Sequence, residues 1–158
     1  MHFTIGVLRA SKGALKRINE LRLVLTPNSR EVFTRERLAT LWNSGHHLIA
    51  ATASSTFPVK HLRHRIIGMG VLLVCDNVSS RFGVIHTMVV DPEAGGHGVA
   101  TEILQMLIAI AREQKLEYLD LTSAEHREKA IRMYVKAGFK NLPKNYFRLD
   151  FRESPRPS

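Results

Sequence analysis

At 158 residues with 44% hydrophobic content, the chain has a one-domain length and enough apolar material for a real core, which argues against wholesale disorder. The longest central apolar run, IIGMGVLLVC, is about half a membrane span, MHFTIGVLRASK lacks the basic start of a secretory signal, and the lone Cys75 rules out an internal disulfide or a multi-cysteine metal site. The net charge of +9 favours an anionic partner but does not choose among nucleic acid, a phosphorylated cofactor and an acidic substrate; the cytoplasm is the expected compartment, with no membrane association.

FTIGVLR (residues 3–9) reads as a first strand, and GALKRINELRLVL (13–25) carries apolar residues at helical spacing until TPNS interrupts it. A second helix opens at Thr34, where Thr34 and Arg37 stand at capping spacing, and closes at Gly45. HHLIAATAS (46–54) and RIIGMGVLLVC (65–75) are predicted strands joined by the long loop STFPVKHLRH, and RFGVIHTMVVD (81–91) completes an antiparallel meander. Residues 98–114 place Val99, Ile103, Leu104, Leu107, Ile110 and Ala111 on one helical face. LEYLDLTS (116–123) follows as a strand predicted to run parallel to the one before that helix, making residues 84–123 a βαβ crossover. REKAIRMYVKAGF (127–139) forms a helix ended by Gly138, residues 139–151 a last hairpin, and residues 152–158 a disordered tail after a single domain of residues 1–151.

The stretch VVDPEAGGHGVATEIL turns from strand into helix through three glycines. The first turn of a helix has amide N–H groups without internal partners and carries partial positive charge, so it suits a phosphate. Gly95, Gly96 and Gly98 remove the Cβ atoms that would keep a diphosphate from the amides of Gly98, Val99 and Ala100, and Thr101 adds a hydroxyl. A Walker loop is excluded because no Lys-Ser or Lys-Thr pair follows, and a Rossmann fingerprint because no third glycine stands at its position. An acyl-CoA loop remains.

MVVDPEAGGHGVATEIL, followed some thirty residues later by REKAIRMYVKAGF, resembles the GNAT superfamily of acyl-CoA-dependent N-acyltransferases, and among them a bacterial-type subgroup of small proteins with mostly undefined substrates. The family's loop reads Gln or Arg, two residues, Gly, one residue, then Gly or Ala. Gly98 and Ala100 match, whereas Gly95 stands where Gln or Arg is usual. Ala130, Tyr134, Gly138 and Phe139 match the helix beside the pantetheine arm, with Arg127 in place of the usual Asn. The resemblance implies an α/β fold with a mixed, mostly antiparallel sheet of six to seven strands and about four helices.

It also implies a site. Acetyl-CoA is the expected cofactor, held by Met88, Val89 and Val90 at a splayed strand end, by the loop Gly95, Gly96, His97, Gly98, Val99, Ala100 and Thr101, and by Arg127, Lys129, Ala130 and Tyr134. Tyr134 takes the family's position for protonating the leaving thiol. His86 stands where many relatives carry a Glu base, and simple alternation puts it on the face of Met88 and Val90. Asp120 and Ser123 are further candidates for holding a water. The amine acceptor is expected between residues 26–34 and 142–146, lined by Phe33 and Trp42. The remaining histidines lack the spacing of a zinc site, so no metal is expected. A homodimer and a nucleic-acid partner are both compatible with the chain. The competing reading is a CoA-binding or nucleic-acid-associated module of the same fold without turnover, suggested by Gly95, His86 and Arg127.

Overall fold

The computed structural model describes residues 2–8 and 11–142, and the chain divides into two compact units, Met1–Ala124 and Glu125–Ser158. The first unit runs β1 (Phe3–Val7), α1 (Lys12–Leu25), α2 (Arg35–Asn43), β2 (His47–Ala53), β3 (Ile66–Asp76), β4 (Arg81–Val90), α3 (Val99–Glu113) and β5 (Leu119–Leu121). In the second, α4 spans Glu128–Lys136. Among the described residues no helix is long and apolar enough to cross a membrane.

The sheet order is β1-β2-β3-β4-β5, antiparallel through β4 and parallel between β4 and β5. The meander and the βαβ crossover therefore form as expected. Among the described residues the sheet has five strands, so the expected six to seven are not borne out there. Most of the predicted hairpin over residues 139–151, the tail and most of the segment 142–146 lie outside the described residues. The strand predicted over residues 116–123 shrinks to Leu119–Leu121, because its pairing with β4 stops at Ile85↔Leu121.

Side-chain alternation gives the sheet two apolar faces, one covered by α1 and α2 and the other by α3. On one face Met69, Val71 and Val89 join Ile18 and Leu21 of α1 and Leu38 of α2 in a buried cluster. On the other, α3 buries Val99, Ile103, Leu104, Leu107, Ile108 and Ala111; Ile108 takes the place predicted for Ile110. Two glycines of β3 make room for α3. A Cβ at Gly70 would meet Ile103 at 2.8 Å and Leu107 at 2.9 Å, and one at Gly68 would meet Ile103 and Val99 at 3.0 Å. Hydroxyl caps start the N-terminal helices: Ala14 N donates to Ser11 Oγ (3.1 Å), and Arg37 N donates to Thr34 Oγ1 (3.3 Å) as the spacing predicts.

Candidate functional site

In the first unit, β4 leads straight into the glycine loop. Asp91 ends the strand, its amide donating to Ile67 O (2.8 Å) and its carboxylate accepting from Glu93 N (2.9 Å) to start a 3-10 turn over Pro92–Ala94. Gly96 and Gly98 then adopt left-handed backbone, φ 79 and φ 78, a region L side chains rarely enter. Gly98 is the N-cap of α3 and supplies no side chain to the free amides. Among the described residues the amides from Gly96 to Thr101 donate no hydrogen bond. Such an array of unpaired donors at the positive end of a 15-residue helix is a cradle for an anion, and a Cβ at either left-handed glycine would strain it. The loop therefore fits the diphosphate of a CoA-type cofactor.

Gly95, the departure from the family's loop, has ordinary backbone (φ -60, ψ 149). A Cβ there would stand 3.0 Å from Pro92 O, so a larger residue requires a small shift of the turn. His97 is exposed, and Val99 is buried as the first anchor of α3.

Upstream, β4 is irregular. Its register with β3 shifts between Met69↔Val89 and Val71↔His86, so Thr87 and Met88 together oppose Gly70. That extra residue is a β-bulge, and Thr87 takes φ 54, unusual for a β-branched residue. The bulge overturns the alternation argument for His86. Paired with Val71, His86 shares the α1-side face, whereas Met88 approaches Gly70 and Val90 approaches Gly68 on the α3 side. His86 is exposed, and its Nδ1 lies 2.7 Å from Thr87 Oγ1. Beyond Ile85 the β4 edge has no β5 partner, which leaves the stretch containing Met88, Val89 and Val90 open on that side among the described residues. A Cβ at Gly83 would meet Leu119 at 2.5 Å and Leu72 at 2.7 Å, so the glycine is what lets β5 approach where the strands do pair. Past the end of β5, the buried Ser123 Oγ has no hydrogen-bond partner among the described residues, and Asp120 is exposed.

In the second unit, Arg127 is the N-cap of α4 without a side-chain cap bond, and Lys129 is exposed. The helix ends in a Schellman motif: Gly138 N donates to Val135 O and Phe139 N to Tyr134 O, both at 3.0 Å, with Gly138 at φ 98. The Phe139 ring stands 6.1 Å from the Tyr134 ring at 65°, the apolar contact that accompanies such a cap. The sequence spacing Tyr-x-x-x-Gly-Phe is thus also a device for holding Tyr134. Tyr134 is buried, and burial pushes its phenol above the ordinary value, with Arg127 opposing in part.

Three supporting residues escaped sequence reading. Thr87 has no signature, since a bulge leaves none in a strand pattern. Arg17 sits on α1 like any solvated cation, yet it donates to Ile66 O (2.8 Å), to Glu20 (2.9 Å) and to Asp91. Phe57 lies within a polar loop but is fully buried.

The sequence profile of the acetyltransferase (GNAT) family matches residues 17–139. Among curated proteins the sequence has no significant match. Solved structures share the fold. An acetyltransferase of Trypanosoma brucei is 24% identical with a TM-score of 0.74, over 94% of this chain and 99% of its own. A glucosamine-6-phosphate N-acetyltransferase from Arabidopsis thaliana is 15% identical with a TM-score of 0.69, over 93% and 97%. A NatC complex bound to Gag peptide and CoA contains a chain 18% identical with a TM-score of 0.72, over 97% and 93%.

Proposed function

The chain belongs to the acetyltransferase (GNAT) family, and from that membership we propose that it is a cytoplasmic N-acetyltransferase of residues 1–151, moving the acetyl group of acetyl-CoA to a primary amine by direct attack in a ternary complex. The observation that carries the reading is the unpaired amide run from Gly96 to Thr101 beside an open β4 edge.

Acetyl-CoA supplies an activated thioester. The loop Gly95 to Thr101 would hold its diphosphate, with Arg127, Lys129 and Ala130 as further contacts, and Met88, Val89 and Val90 would offer backbone to the pantetheine and the thioester oxygen. His86, oriented by the Thr87 hydroxyl, takes a proton from the acceptor ammonium. Tyr134 returns a proton to the departing sulfur; its phenol, which burial pushes above the ordinary value, is protonated at neutral pH.

The test is thiol release from acetyl-CoA across a panel of amines with product masses recorded. The panel includes a phosphorylated amino sugar and peptides, because relatives of this fold are described with such molecules. A second reading, CoA binding without turnover, is favoured by Gly95, His86 and Arg127 standing where the family's usual residues are absent. Binding with no product from any acceptor would establish it.

A further inference from the structure

The glycine loop is braced by the β2–β3 connection. Phe57, fully buried there, sets its ring 5.1 Å from the His97 ring with the planes at 62°. Arg63 Nε donates to Phe57 O (2.9 Å), which fixes the backbone behind the ring. From the same connection His61 Nε2 lies 3.3 Å from Glu93 Oε1. Both acids that precede the glycines are therefore engaged, Asp91 by Arg17 and Glu93 by His61. Between Gly95 and Ala100 only His97 has a polar side chain, and it is exposed. An edge-to-face contact restricts the imidazole, so less freedom is lost when a ring N–H meets an anion.

We propose that His97 supplies the side-chain contact to the CoA diphosphate that Gly95 does not, and that Phe57 is the positioning residue that aims it. The inference rests on the reading of this loop as the CoA phosphate site.

Calorimetric titration with CoA and with dephospho-CoA, which keeps the diphosphate and lacks the 3′-phosphate, tests it. His97→Ala is expected to weaken both ligands about tenfold, the scale of a lost charge-assisted hydrogen bond. His97→Arg is expected to restore affinity. Phe57→Leu is expected to weaken binding in the native background and to have no added effect beside His97→Ala, the coupling that a purely structural role does not produce; Phe57→Met serves the same purpose if the leucine variant fails to fold. Native affinity in His97→Ala, a loss confined to CoA, or additive losses with Phe57 would overturn the proposal while CoA binding by the native chain stands. A native chain that binds neither ligand overturns this proposal together with the reading beneath it.

Discussion

Arg17 on α1 donates to the carboxylate of Asp91 at the end of β4, an ion pair whose side chains are only 13% and 12% exposed. The same guanidinium reaches Ile66 O and Glu20, and Glu20 also accepts from Arg65 (3.0 Å). The hydrogen bond from Arg17 holds the Glu20 carboxyl below its ordinary value, with Arg65 and Lys16 adding to the effect. One side chain thus joins α1, the start of β3 and the entrance to the glycine loop. Removing one partner of a buried pair leaves the other charge uncompensated. Arg17→Met should cost on the order of 3 kcal/mol of unfolding free energy, and Asp91→Asn in that background should recover part of it. Chemical denaturation of the four species measures both; equal stability of Arg17→Met and the native chain would count against the pair as a structural tie.

The three loop glycines should not respond alike. Gly96 and Gly98 require positive φ, so alanine at either is expected to cost about 1–2 kcal/mol and to weaken CoA binding by distorting the amide array. Gly95 has φ -60, and its only obstacle is the 3.0 Å approach of a Cβ to Pro92 O. Gly95→Ala is expected to stay within about 0.5 kcal/mol of the native chain. Thermal unfolding with and without CoA separates the two effects.

Much of the frame was legible because it follows from periodicity. The α3 face, the meander, the crossover and the cap at Thr34 are all local signals that the tertiary structure leaves intact. The positive φ at Gly96 and Gly98 is a backbone requirement that the sequence reading of that loop, which argued from the missing Cβ atoms, did not include. The face of His86 was not legible: one extra residue at Thr87 inverts every later alternation, and its cause is long-range pairing with β3. Nor was the β2–β3 connection, where polar composition hides Phe57, whose ring contact with His97 joins positions forty residues apart.

His47 provides a pH signature outside the site. Burial lowers its pKa from the ordinary 6.5, the neighbouring His46 adds to the shift, and Glu113 opposes it. Its Nε2 accepts from the side-chain amide of Gln114, the C-cap of α3, which requires the neutral ring. The folded pKa lies below the unfolded one, so the unfolded chain binds the proton first as pH falls. This contribution to stability is complete above about pH 6.5 and is lost as pH drops toward the folded value. His47→Gln should flatten the fall of the melting temperature below that point, and an unchanged pH slope in the variant would assign the effect elsewhere.

Tyr134 offers the sharpest kinetic test. Its ring is held by Phe139 across the Schellman motif, and its hydroxyl stays protonated well past neutral pH. If the phenol donates the proton to the leaving sulfur, Tyr134→Phe should slow turnover on the order of a hundredfold, the usual scale for a general acid, while CoA affinity stays close to native. Phe139→Leu removes the aromatic contact but leaves the phenol in place. It should lower kcat by a smaller factor and leave the high-pH limb of the rate profile where the native enzyme has it, because the acid is displaced rather than lost. Gly138→Ala forces a Cβ into φ 98 and should cost about 1–2 kcal/mol, fraying the last turn of α4 that begins at Tyr134. An unchanged rate in Tyr134→Phe would reassign the proton to solvent and leave the tyrosine as the apolar partner of Phe139.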